Sequence, residues 1–168
     1  MIYTKFYGVR TMHERGLRKI LEQKREELTQ LFSQNGVIAS YLFGSQATRK
    51  AGAQSDIDLA VLFDRAIPKD RWRKLKIHLL TELIGIFESN RVDLVALNEA
   101  PPFLAYEEII RSGALIFSKD EDQRLLFEVE AFHRYVDTEP LRRIQQMYLA
   151  EEIEEKARTL KPARGIQW

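Results

Sequence analysis

The chain of 168 residues contains no cysteine, which excludes disulfides, thiolate zinc sites, iron–sulfur clusters and a cysteine nucleophile together. Long apolar runs are missing too. Met1 to Gly16 holds no uninterrupted apolar core of the about 7 to 15 residues that a signal peptide needs, and nothing approaches the ~18 apolar residues of a membrane span. A soluble, cytoplasmic protein with no membrane partner is expected. Nor does one charge dominate: 26 Lys and Arg against 25 Asp and Glu give a formal net charge of +1. Without a basic field over the whole chain, nucleic acid is not expected as a direct partner, and any polyanion site must be local. Fixed-period repeats and low-complexity segments are absent, which excludes a solenoid or a long linker. What is present is 45% hydrophobic composition, enough for the core of about one domain.

Two kinds of pattern alternate along the chain. From His13 to Phe32, apolar residues at Leu17, Ile20, Leu21, Leu28, Leu31 and Phe32 predict an amphipathic helix, stopped by Asn35-Gly36. Val37–Phe43 and Asp56–Phe63 are short apolar runs that predict strands. Lys69–Phe87 predicts a second helix, with Trp72, Leu75, Leu79, Leu80, Leu83, Ile84 and Phe87 along one face. A third strand is expected over Arg91–Leu97. After Pro101-Pro102, helical character runs over Phe103–Arg111, and Ala114–Phe117 predicts a fourth strand. Beyond Lys119 the strand signal ends, and Glu121–Val136 and Pro140–Leu160 predict two helices. The fold class is therefore α/β, a small mixed sheet with flanking helices and a helical tail, divided into a core over residues 1–118 and an appendage over 119–168.

The chemistry concentrates between Tyr41 and Phe63. Alternation on a strand points Asp56, Asp58 and Ala60 to one face and Ile57, Leu59, Val61 and Phe63 to the other, so one face is expected to be core and the other charged. Carboxylates two positions apart lie roughly 7 Å apart along a strand and can converge on hard cations such as Mg²⁺, which also relieves their mutual repulsion. Asp93, within Val92–Leu97, is a third carboxylate that a neighbouring strand can bring alongside; three acids would hold two metals. Gly44-Ser45 falls where a strand gives way to a helix. Its backbone N–H groups and the Ser45 hydroxyl suit a phosphate, and Gly44 permits close backbone approach.

Gly44-Ser45, ten intervening residues, then Asp56-x-Asp58 and a later Asp93 resemble the signature of the polymerase-β nucleotidyltransferase superfamily. Within it, the Phe43-Gly44-Ser45 and Ser55-Asp56-Ile57-Asp58-Leu59 wording is similar to the minimal nucleotidyltransferases, antitoxins paired with HEPN toxins. The stretch Phe132–Arg143, with Tyr135, Asp137 and Pro140, is also similar to theirs. Members often carry Arg-Gly two residues after the Gly-Ser-x stretch, whereas this chain has Thr48-Arg49 and its next glycine at Gly52. The resemblance implies a Mg²⁺-requiring nucleotidyltransferase core over residues 1–118 that moves AMP from ATP to a tyrosine hydroxyl of a HEPN ribonuclease toxin and so neutralises it. Asp56, Asp58 and Asp93 would be the catalytic metal ligands, with Asp93 completing the metal next to the attacking oxygen. Gly44 and Ser45 would grip the outer phosphates. Two other readings are open: a small-molecule adenylyltransferase of the aminoglycoside type, and a non-catalytic antitoxin that binds its toxin sterically. The two helices after the sheet are shorter than the roughly 100 residues of a typical second domain, which leaves a protein partner to supply the acceptor surface.

Weaker signals have simpler accounts. Arg73 and His78 match the Arg-x4-His spacing of HEPN ribonucleases, but they lie on a helix within an α/β pattern, with His78 between Ile77 and Leu79. His13 and His133 lack partners at metal spacing. Lys69, Arg71, Arg73, Lys74 and Lys76 read as a solvated helix face, with Trp72 and Leu75 as core positions. Glu151, Glu152, Glu154 and Glu155 read the same way, and Trp168 is a candidate for docking on this domain or on a partner.

Overall fold

The computed structural model describes residues 15–47 and 56–159. His13, Thr48, Arg49, Gly52 and Trp168 lie outside them. The predicted helix over His13–Phe32 is two helices, α1 (Arg15–Gln23) and α2 (Arg25–Gln34), which meet at Lys24. The junction leaves Leu17, Leu21, Leu28 and Phe32 all buried while Ile20 is exposed. Seven residues separate Leu21 from Leu28, and the bend returns both to the same core. Gly36, at φ 68°, then turns the chain into β1 (Val37–Phe43).

The one-turn helix α3 (Gly44–Ala47) follows β1, and β2 spans Ile57–Phe63. Helix α4 (Lys69–Phe87) leads to β3 (Val92–Ala96). A π-helix over Leu104–Arg111 precedes β4 (Ala114–Ser118), and α5 (Glu121–Asp137) and α6 (Glu139–Thr159) complete the described chain. Asp120 caps α5 by accepting from the Gln123 N–H (3.0 Å), a bond that lowers the Asp120 pKa. The four strands form one mixed sheet in the order β3-β2-β1-β4, with β1 antiparallel to β2 and β4, and β2 parallel to β3.

The sheet is covered on both faces. On one, Leu17, Leu21, Leu28 and Phe32 join Trp72, Leu79, Leu83 and Phe87 over Leu59, Val61 and Phe63. On the other, Ala105 and Ile109 of the π-helix join Phe127 and Ala131 of α5 over Tyr41, Ala60 and Leu62. This corrects the expectation that β2 has one core face and one charged face. Only its first residues carry acids into the open, and Ala60 and Leu62 on the same side as Asp58 are 0% and 3% exposed. The cover comes from elements far along the chain, so a two-residue period read within β2 cannot reveal it.

Phe127 anchors α5 to that second core at 4% exposure, with the Arg134 guanidinium 5.5 Å from its ring centroid. Phe127→Ala is expected to cost about 3–5 kcal/mol, read as a lower urea midpoint with an unchanged slope. Helix α6 leaves the domain: Leu141, Ile144, Met147, Tyr148, Leu149 and Ile153 are each at least half exposed. Its start is pinned by Arg142, which bonds the Tyr135 carbonyl and the Thr138 hydroxyl and stacks 3.8 Å from the Tyr135 ring centroid. No helix among the described residues is long and apolar enough to cross a membrane.

Candidate active site

The acids come together through sheet register. Phe43, the last residue of β1, pairs with Asp58 of β2, and Asp58 pairs with Asp93 of β3. Residues paired in register project to one face of the sheet, with strands about 4.8 Å apart. The end of β1, Asp58 and Asp93 therefore form one row across three strands, with Asp56 one step further toward the open end. Asp56 and Asp93 are exposed and Asp58 is half-buried.

Gly44 turns the chain out of β1 with φ 70°, a conformation that L side chains rarely adopt. Its missing side chain matters more than its torsion. A Cβ here would stand 2.1 Å from Asp58 Oδ2 and 2.9 Å from its Cγ, so the Asp58 carboxyl rests directly on the glycine. Ser45 follows in the first turn of α3, at the same end of the sheet. Where the π-helix gives way to β4, the backbone packs tightly on β1: a Cβ on Gly113 would fall 2.8 Å from the Leu42 carbonyl oxygen and 2.4 Å from that of Ile109.

Burial, then the Asp93 and Asp56 charges, push the Asp58 carboxyl above the usual carboxylate range. The cluster is thus electrostatically frustrated, and its all-oxygen donor set is the kind that suits a hard divalent cation. The frustration and the donor chemistry fit Mg²⁺. Among the described residues no three ligating side chains already form a coordination group; the Asp93 carboxylate instead accepts from the Leu94 N–H on its own strand (2.8 Å).

A further network on the same face has no local sequence signal. The Tyr41 hydroxyl donates to Glu128 Oε1 (2.5 Å), which also accepts from Arg124 (2.5 Å). Tyr41 pairs with Ala60, two residues further into the sheet than Asp58. Burial, followed by the bond to Glu128, raises the Tyr41 pKa far above its ordinary value and keeps the phenol protonated as a donor. The partners are 87 residues apart in sequence, which is why pattern reading missed them.

The weaker candidates are placed elsewhere. Trp72 is buried, its indole N–H donating to the Ile67 carbonyl (3.1 Å), while Lys69, Arg71, Arg73 and Lys74 are exposed along α4. His78 is exposed 4.0 Å from Glu82, and its neighbour Ile77 is 58% exposed. His133 lies on a cleft of about 480 Å³ with Arg65, Asn98 and Glu130, at the opposite end of β2 from the acids. An Arg65–Glu130 ion pair spans that cleft.

A mixed sheet carrying a glycine turn against a row of strand carboxylates defines a nucleotidyltransferase core. The chain belongs to the polymerase beta nucleotidyltransferase family, whose model matches residues 26–122. Among solved structures, the chain is similar to one of a tri-AMPylated Shewanella oneidensis HEPN toxin in complex with MNT antitoxin. The identity is 22% and the TM-score 0.56, over 79% of this chain and 98% of that one. It is also similar to a toxin–antitoxin crystallised with AMP-PNP, at 25% identity and TM-score 0.57 over 76% of this chain and 97% of that one. The toxin–antitoxin MntA–HepT matches at 22% identity and TM-score 0.55, over 79% and 98%. These likenesses establish the shared fold. No curated protein matches the chain.

Proposed function

We propose that this protein is an antitoxin that transfers AMP from ATP to a tyrosine hydroxyl of a HEPN ribonuclease toxin. The observation that carries the reading is the row formed by Gly44, Asp58 and Asp93 at one end of the sheet. In it, Asp56, Asp58 and Asp93 would hold Mg²⁺, which would supply positive charge to offset that of the triphosphate during transfer. Gly44 and Ser45 contribute backbone N–H groups and a hydroxyl to the outer phosphates, so that the α-phosphorus faces the acceptor in line. Asp93, exposed on the β3 side, stands on the acceptor's approach. The acceptor oxygen bonds to the α-phosphorus, the bond to pyrophosphate breaks, and the hydroxyl proton is released to solvent.

Complexes of this fold with HEPN toxins, one toxin tri-AMPylated and one complex holding an ATP analogue, support the choice of acceptor and donor. Residues 1–118 carry the chemistry in this reading, residues 119–168 add a helical cover and a surface for the toxin, and the setting is cytoplasmic. AMP on the toxin adds a negatively charged, bulky group that repels and obstructs an RNA substrate.

Catalysis acts at less than one equivalent, whereas steric occlusion does not. With ATP and Mg²⁺, a small amount of this protein should leave a larger amount of toxin inactive and heavier by whole AMP units. The inhibition should outlast removal of the antitoxin. Neutralisation that needs one antitoxin per toxin site, proceeds without ATP and leaves the toxin's mass unchanged would establish the steric reading instead.

A further inference from the structure

The end of the sheet opposite the acids carries a second concave site. Beyond Phe63, where β2 ends, the cleft of about 480 Å³ opens between Arg65, Asn98 and the second half of α5. Phe63 stands five positions along β2 from Asp58, roughly 16 Å at ~3.3 Å per residue, so this cleft is separate from the acid row. Its floor is apolar, with Phe127 4% and Trp72 8% exposed. Two of the polar groups around it are already satisfied. The Asn98 amide accepts from the Phe63 N–H (2.8 Å) and donates to the Phe63 carbonyl (3.0 Å), and the Trp72 indole N–H is committed to Ile67. The others are donors with capacity to spare. Arg65 pairs with Glu130 through one terminal nitrogen, which leaves its other N–H groups for a ligand. The Arg134 guanidinium is held over the Phe127 ring and, among the described residues, meets no carboxylate. His133 touches the Phe132 ring and forms no ion pair among the described residues. Two guanidinium charges thus face the single carboxylate of Glu130.

We propose that this cleft binds an aromatic phosphate monoester of nucleotide size, at a site that draws on none of the acids. Its volume falls within the range of about 300–1,000 Å³ typical of small-molecule sites and exceeds what a bare inorganic anion fills. The apolar floor of Phe127 and Trp72 offers a flat ring a surface to lie against. A carboxylate presents two oxygens in one plane, which a single guanidinium fork takes up. A phosphate presents three, spread tetrahedrally, and these suit donors on separate walls: Arg65 beyond β2, and His133 and Arg134 on α5. Glu130 competes with the phosphate for Arg65.

The test measures equilibrium binding of AMP, adenosine and inorganic phosphate to the full chain in EDTA, which withholds divalent cations from the acids. The wild type should bind AMP at least about tenfold more tightly than either fragment. Arg134→Ala should weaken AMP about ten- to a hundredfold. Arg134→Lys should recover part of that loss, since it keeps the charge without the fork. Glu130→Gln should tighten AMP binding by releasing Arg65, and Asp58→Asn should bind AMP as the wild type does. The Arg134 and Glu130 variants should melt near the wild type, because both side chains are exposed. AMP binding that Arg134→Ala leaves unchanged, that Asp58→Asn alters, or that adenosine matches overturns the assignment. Inorganic phosphate held as tightly as AMP also overturns it, because the apolar floor would then contribute nothing. A wild type that binds none of the three probes overturns it outright, and leaves the AMP-transfer reading of the acids untouched.

Discussion

The Asp58→Asn protein is expected to fold, to melt above the wild type at neutral pH without divalent metal, and to transfer AMP at least about a thousandfold more slowly. The two effects share one cause. Asp58 occupies the middle of the row, half-buried, with Asp93 paired on one side and Gly44 packed against its carboxyl on the other. Burial and the neighbouring charges raise its pKa, so the folded protein holds the proton more tightly than the unfolded chain. For an acid shifted in that direction, folding stability is full below the unfolded value, near about 3.9. It falls as pH rises through that value to the raised one. At neutral pH the carboxylate is therefore a cost, which the nearly isosteric amide removes without disturbing the contact with Gly44. The melting-temperature advantage should be present at pH 7 and vanish below about pH 3.5. In activity the same change removes an anionic ligand from the donor set. Rates measured by toxin mass shift that stay within tenfold of wild type would rule out Asp58 as a ligand. A thermal gain that persists undiminished in acid would rule out the electrostatic origin.

The second large effect is expected from the smallest substitution. Gly44→Ala adds one methyl group to a residue at φ 70°, at a cost of about 1–2 kcal/mol in backbone conformation. Its Cβ would also stand 2.1 Å from Asp58 Oδ2. The obstructed atom is the end of a rotatable side chain, so the fold survives and the carboxylate swings away. Its displacement removes the carboxyl from the row shared with Asp93, and a misplacement of about 1 Å at a reacting centre is sufficient for a loss near a hundredfold. The defect should thus resemble loss of Asp58: turnover falls at saturating ATP as well as at low ATP. If Gly44 served the phosphates alone, Gly44→Ala would raise the ATP concentration needed and leave the saturated rate unchanged. A full saturated rate in this variant would refute the contact as a determinant of catalysis.

Several features of this protein are set within a few neighbouring residues and are legible there. The limits of β1 and α4 follow from Val37–Phe43 and Lys69–Phe87 themselves, and the Gly44-Ser45 to Asp56-x-Asp58 spacing is contained within fifteen consecutive residues. Backbone propensity and side-chain period act over such distances, so the strand acids and the glycine turn could be named from sequence. Which groups meet is a matter of strand register and of cover by distant elements, and neither is encoded locally. Asp93 stands beside Asp58 because β2 and β3 pair in parallel across the whole length of α4, and a slip of one residue would send it to the opposite face. Ala60 and Leu62 are core because Ile109 and Phe127 arrive from the π-helix and α5. Gly44 proved to be the seat of the Asp58 carboxyl as well as a candidate phosphate turn. The upward shift of the Asp58 carboxyl likewise arises only in the folded sheet, since desolvation and charge proximity depend on distances in space that local sequence does not set.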